Sequence, residues 1–128
     1  NFYPPDYVAP GTDALGPQFK IMHTGTILAR TNFVYDLLIA KNESVAAVTN
    51  VTGATGTKTN SAAFNSLAAN PAALVDRMSA LFCNNTLSMQ EKAAIVQAVT
   101  AVPATDAAKR VRTAAYLVLT SAQFQVTN

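Results

Sequence analysis

One short segment of this chain fixes where a helix begins. Ser88-Met89-Gln90-Glu91 has the pattern of a capping box. In this motif the serine hydroxyl accepts a hydrogen bond from the third helical amide, and the glutamate accepts one from the serine amide. The helix must end before Pro103, because proline has no amide hydrogen and clashes with the preceding turn. Its expected buried face is Ile95, Ala98, Val99 and Val102.

Start signals of the same kind flank this helix. Asn70-Pro71 offers a capping side chain followed by a proline, whose fixed φ suits the first helical position. Thr105 is the expected cap of the last helix, with Asp106 at its positive end. Apolar residues then recur at helical spacing in both segments. The expected inward faces are Leu74, Val75, Met78, Leu81 and Phe82 in the first, and Ala107, Val111, Ala114, Ala115, Val118 and Leu119 in the second.

The segments before residue 70 carry weaker signals. Pro17 fits the first position of a long helix that runs to about Lys41, and a short helix is expected over 61–69. The segment 50–60 is polar and twice interrupted by glycine, which is typical of a loop. No stretch alternates between apolar and polar residues over the length of a strand, so no strand is expected.

Residues 1–16 form a separate segment, because Pro4, Pro5 and Pro10 prevent a helix and should keep the chain extended. The predicted fold is therefore all-α: a small antiparallel bundle of four to five helices over 17–128, preceded by an extended, proline-rich strip. The 128 residues fit one domain or the C-terminal part of a larger one.

The charge content argues against two kinds of partner. The cations are scattered except for Lys109, Arg110 and Arg112, which we interpret as a solvated helical face, so no nucleic acid is expected. The longest apolar run, Ala114 to Leu119, is far shorter than the roughly 20 residues that span a bilayer, so no membrane partner is expected. Charged residues make up 12% of the chain against about 25% in average proteins. This suits a secreted or periplasmic protein, or a piece covered by the rest of its own chain.

The side chains that carry most chemistry are scarce. With a single cysteine, Cys83, and a single histidine, His23, no zinc site can be built from these ligands, and we expect no metal and no cofactor. The carboxylates include no closely spaced pair. Cys83 ends an apolar stripe and is expected to be buried and unreactive. The sequence thus predicts no catalytic residues, and whether the protein is an enzyme stays open.

Two sets of residues are candidates for binding. Phe2, Tyr3 and Tyr7 surround a proline pair and could stack on sugar rings, although such aromatics more often anchor a strip to the protein's own body. His23 and Arg30 lie two helical turns apart on one face of the long helix. They could form one wall of an enzyme site, or face solvent or an absent upstream part.

Several stretches are similar to one known family. They are Asn1 to Tyr7, Pro10 to Thr12, Leu15 to Phe19, Leu81 to Cys83, Val102 to Thr105 and Arg110 to Val126. Together they resemble the family catalogued as domain of unknown function 1800, except that Ala115 and Ala122 stand where a larger aliphatic residue and a proline are expected. The resemblance implies the last quarter or so of a longer bacterial protein with a secretion signal. It implies no reaction.

These observations favour a non-catalytic helical module that completes the fold of a larger secreted bacterial protein. Its expected partner is the missing upstream part of the same protein or another copy of the chain, and its abrupt start at Asn1 also suggests an internal position. Two alternatives remain. One is a module that binds carbohydrate or another extracellular polymer through the strip, and the other is a wall of an enzyme site whose catalytic residues lie upstream.

Overall fold

The structure is a computed structural model, and it describes residues 4, 6–8, 10–11, 13 and 24–125. Helix α1 (Thr24–Tyr35) continues into a π-helical turn (Asp36–Ala40), and strands β1 (Ser44–Val45) and β2 (Thr57–Lys58) precede a 3₁₀ helix (Ala62–Leu67). The remaining elements are helices α2 (Pro71–Phe82), α3 (Met89–Thr100), α4 (Ala107–Leu119) and α5 (Ala122–Gln125). More than half of the described residues are helical, which confirms the all-α prediction.

The chain forms two compact units, Asn1–Phe33 and Val34–Asn128. In the first unit, the amide of Tyr7 donates a hydrogen bond to the carbonyl of Pro4 over 3.0 Å. The predicted start of the long helix at Pro17, and the predicted boundary between strip and bundle, lie outside the described residues. The predicted end is close to the observed one, since the π-helical turn ends at Ala40.

The hydrophobic core belongs to the second unit. Helices α2, α3 and α4 contact one another, and α4 also packs against the π-helical turn and the 3₁₀ helix. Each fully buried aliphatic side chain contributes about 1.5–3 kcal/mol relative to an exposed one. The largest apolar side chains with essentially no exposure are Leu74, Val75, Met78, Val99, Val111 and Val118.

The helix starts follow the sequence signals with one exception. The side chain of Asn70 accepts from the amide of Ala73, and Pro71 is the first helical residue. The capping box is present in both directions. The predicted cap of the last helix, Thr105, is wrong, because Asp106 Oδ1 accepts from the amide of Lys109 at 2.9 Å. A carboxylate suits this position better, because it also interacts favourably with the positive end of the helix dipole.

Two residues predicted to face the core are exposed instead. Leu81 is 50% exposed, because the buried face of α2 is displaced toward Ser79 and leaves Leu81 at its edge. Ala98 is exposed for the same reason, because the packed side of α3 runs through Ile95, Val96 and Val99. A spacing pattern locates a helical stripe but not its centre, which depends on the neighbouring helices.

The expectation that no strand forms is wrong at one place. β1 and β2 pair antiparallel, with Ser44 opposite Lys58 and Val45 opposite Thr57. Gly56 has φ +75°, and a Cβ atom there would lie 2.5 Å from the carbonyl oxygen of Val45, so only glycine fits. Strands of two residues are too short to show alternation in the sequence. For this reason β2 was not recognised inside the segment 50–60, which was predicted to be a loop.

Arg110 is the largest departure from the sequence interpretation. It was expected on a solvated face, but it is only 7% exposed. Its Nε donates to the carbonyl of Val102 at 2.9 Å, and its Nη1 donates to the carbonyl of Ala68 at 3.0 Å. The guanidinium thus links α4 to the loop after α3 and to the end of the 3₁₀ helix.

We expect Arg110→Met to lower the free energy of unfolding by about 3 kcal/mol, since it leaves two carbonyls without these donors while it keeps most of the apolar stem. Urea unfolding measures this. Arg112→Met, a half-buried arginine on the same helix, is the control and should cost much less. Equal losses in the two variants would contradict the role assigned to Arg110.

The capping box predicts a pH dependence. Hydrogen bonds from the hydroxyl and then the amide of Ser88 hold the pKa of the Glu91 carboxyl below its ordinary value. A lowered folded-state pKa gives stability that is present above the unfolded-state pKa and lost as the pH falls through the folded-state pKa. Glu91→Gln keeps an acceptor but removes the charge, and should cost about 0.5 kcal/mol at pH 7. Urea unfolding at pH 7 and pH 3 should show this difference disappear in acid; a constant difference would refute it.

Candidate functional site

Of the five predicted binding residues, the structure describes two. Phe2, Tyr3 and His23 lie outside the described residues. Tyr7 is half-buried in the N-terminal segment, and Arg30 is exposed on α1. These two residues lie in separate segments of the first unit. The binding roles of these five residues therefore stay predictions from the sequence.

Cys83 lies at the end of α2 and is buried, as predicted, with 2% exposure. Burial raises the pKa of its thiol, the nearby Ser121 hydroxyl lowers it in part, and the charge of Glu91 raises it. Its Sγ lies 4.0 Å from Ser121 Oγ. The neutral thiol is thus favoured, and a thiol in this state is a poor nucleophile. Within the described part of the chain, no cluster of histidine, cysteine and acidic side chains could hold a metal ion.

One cavity in the second unit has a volume of about 220 Å³, and we call it the apolar cavity. Its walls come from the π-helical turn, the 3₁₀ helix, α2 and α4. The apolar lining residues are Leu38, Phe64, Met78, Phe82, Ala115 and Leu119, and the polar ones are Glu43, Thr59, Asn60 and Ser61. The resemblance led us to expect a larger aliphatic residue than Ala115, and this small side chain leaves space in the wall. The arrangement can accept a compact apolar group.

Glu43 is the charged residue in the lining of the apolar cavity. It follows the helical segment in a left-handed conformation, with φ 69°, and so does Asn42 with φ 48°. Such conformations cost non-glycine residues free energy and are found at ligand sites. The amide of Glu43 donates to the carbonyl of Leu37 at 2.6 Å, and its Oε1 accepts from the amide of Ser61 at 3.0 Å. These bonds fix a half-buried carboxylate in one place.

A second cavity, of about 380 Å³, is lined mainly by polar and charged residues, and we call it the polar cavity. It is lined by Ile39, Asn42, Asp106, Lys109, Arg112 and Thr113. The two left-handed residues thus belong to different cavities, Asn42 to the polar one and Glu43 to the apolar one. Asp106 caps α4. Its carboxylate also lines the same cavity as Lys109 and Arg112, so it partly balances their positive charge.

Sequence reasoning gave Glu43 no role and assigned Arg110 to a solvated helical face. The contact of Glu43 with Ser61 spans 18 residues, and that of Arg110 with Ala68 spans 42. Neither spacing leaves a local signal. A weak hint for Arg110 was available, since its position coincides with the apolar stripe that continues through Val111 and Ala114.

Comparison with known proteins gives one match. A family model described as "Protein of unknown function (DUF1800)" matches residues 18–126. Neither the curated proteins nor the solved structures contain a significant match to the chain. Among the described residues, no helix is both long enough and apolar enough to cross a membrane.

The burial of Cys83 predicts slow reaction with thiol reagents. Under native conditions at pH 8, we expect Ellman's reagent to label Cys83 at least about 100-fold more slowly than in urea, because labelling requires an opening of the structure. Absorbance at 412 nm follows the reaction. A native rate close to that of the unfolded chain would show that the thiol is accessible.

Proposed function

The chain belongs to the DUF1800 family of proteins of unknown function, and from this premise we propose that it is a non-catalytic helical module that completes the fold of a larger secreted bacterial protein. The observation that carries this proposal is the apolar character of exposed side chains on α1. This surface requires a partner, and the rest of the same polypeptide is the partner that we propose.

Helix α1 is rich in apolar residues, but none of its residues is buried. Leu28 is 58% exposed, Phe33 52% and Ile27 39%. Single exposed apolar residues are common on protein surfaces, whereas α1 carries three within seven residues, and we take these as part of the proposed interface. A helix in water gains most of its stability from packing an apolar face. An additional element of the larger protein, packed on α1, would supply that stabilisation.

The composition supports the proposed location outside the cytoplasm. Charged residues are 12% of the chain, and the net charge is only +2. Uncharged polar residues must therefore provide much of the solvation, which suits an exported protein or a surface covered by its own chain.

Fractionation of the producing cells should recover the protein in the periplasm or the medium. Recovery in the cytoplasm alone would refute export.

The proposed interface can be tested with the 128-residue chain and the upstream part of the full-length protein, produced separately. We expect the two to form a complex, and we expect Leu28→Glu and Phe33→Ser each to weaken it at least about tenfold, since each removes an apolar anchor. Isothermal titration calorimetry measures the affinity. The control is Met89→Glu, which changes an 89% exposed apolar residue at the start of α3 and should leave binding unchanged.

Two outcomes would contradict this proposal. If the isolated chain binds no upstream part and stays monomeric by light scattering, it is an autonomous domain. If it instead forms a stable dimer that Leu28→Glu and Phe33→Ser dissociate, a second copy covers α1.

A further inference from the structure

We propose that the apolar cavity is a binding site for a small organic cation, an amine that carries one compact apolar group. This site goes beyond the proposed module function and does not depend on it, because all of its residues belong to the second unit. Three features support it: the size of the cavity, the unbalanced charge of Glu43, and the backbone that holds Glu43 in place.

The size and lining of the cavity select the apolar part of the ligand. A dry cavity of about 150 Å³ lined by aliphatic and aromatic side chains binds benzene. The present cavity is larger, at about 220 Å³, and its walls include Leu38, Phe64, Met78 and Leu119. It can therefore hold a benzene ring with a short linker. It falls below the roughly 300–1,000 Å³ of sites for drug-sized ligands, which favours a small molecule.

The charge of the site selects the cationic part. Glu43 is the single charged residue in the lining, and its side chain is half-buried. Among the described residues, no lysine or arginine lies within ion-pair distance of the Glu43 carboxylate. Its Oε1 accepts from Ser61, and its Oε2 accepts no hydrogen bond from a described residue. An ammonium group beside Oε2 would donate a hydrogen bond and supply the opposite charge.

The backbone around Glu43 is organised to hold the carboxylate there. Asn42 and Glu43 are both left-handed, and the π-helical turn precedes them. Single-turn π-helices and strained non-glycine residues are both concentrated at functional sites. The carbonyl of Glu43 accepts from the amide of Thr59 at 3.0 Å, so the residue that follows β2 also holds Glu43 in place. A carboxylate positioned in advance loses little freedom when it binds a cation.

Three probes of nearly equal size separate charge from shape: 2-phenylethylamine, 2-phenylethanol and phenylacetate. In calorimetric titrations of the 128-residue chain at pH 7, we expect the amine to bind about tenfold more tightly than the alcohol, and phenylacetate to bind more weakly than both. If the amine does not bind, or if the amine and the alcohol bind equally, the proposal is wrong.

Two variants locate the binding site. Glu43→Gln keeps an oxygen that can accept from Ser61, and it should abolish the preference for the amine over the alcohol. Ala115→Leu adds three carbon atoms to the cavity wall and should weaken binding of both at least about tenfold. Glu91→Gln is the matched control, since it removes a carboxylate outside the cavity lining, and should leave the preference unchanged.

The outcomes of these variants are decisive. Circular dichroism and slow labelling of Cys83 verify that each variant is folded. A folded Glu43→Gln that retains the preference, or a folded Ala115→Leu that binds the amine as tightly as the unchanged protein does, would place binding elsewhere and overturn the proposal. If Glu43→Gln fails to fold, the probe series and Ala115→Leu decide.

Discussion

The guanidinium of Arg110 is the interaction on which the position of α4 depends. Burying a charge without partners is very unfavourable, so this side chain is stable inside the protein only where acceptors surround it. The carbonyls of Ala68 and Val102 are two such acceptors, and they come from two separate segments of the chain. Apolar packing against α2 and α3 is not directional, whereas these hydrogen bonds specify one arrangement of the segments.

The geometry of both cavities follows from this placement. Ala115 and Leu119 of α4 line the apolar cavity, and Lys109, Arg112 and Thr113 of the same helix line the polar one. The other shared element is the corner at Asn42 and Glu43, where two left-handed residues follow the π-helical turn. Strain at this corner persists because hydrogen bonds to Leu37, Thr59 and Ser61 over-determine its conformation.

The sequence predicted what local interactions decide. The capping box at Ser88, the Asn70-Pro71 start and the burial of Cys83 were correct, because each depends on neighbours in the chain or on a clear apolar stripe. The family was also recognisable, and the match over residues 18–126 confirms it.

The features that were missed depend on contacts between distant segments. Arg110 was assigned to a solvated face because it is charged, although its position continues the apolar stripe of α4. The carbonyls that accept its hydrogen bonds cannot be located from sequence spacing. The pairing of β1 with β2 was missed because each strand is only two residues long. The position of Glu43 was missed because Ser61, which its side chain contacts, lies 18 residues away in the sequence. The binding roles of Phe2, Tyr3 and Tyr7, and those of His23 and Arg30, remain predictions.

The central claim is that the second unit is packed by its own core, whereas α1 is covered by the partner that we propose. Amide hydrogen exchange in the isolated chain and in the full-length protein tests it most directly, because exchange reports the local free energy of opening. The account predicts that amides in α2, α3 and α4 are strongly protected in both forms. Those in the last turns of α1, up to Phe33, should exchange quickly in the isolated chain and become protected in the full-length protein. Equal, strong protection of α1 in the isolated chain would contradict the account.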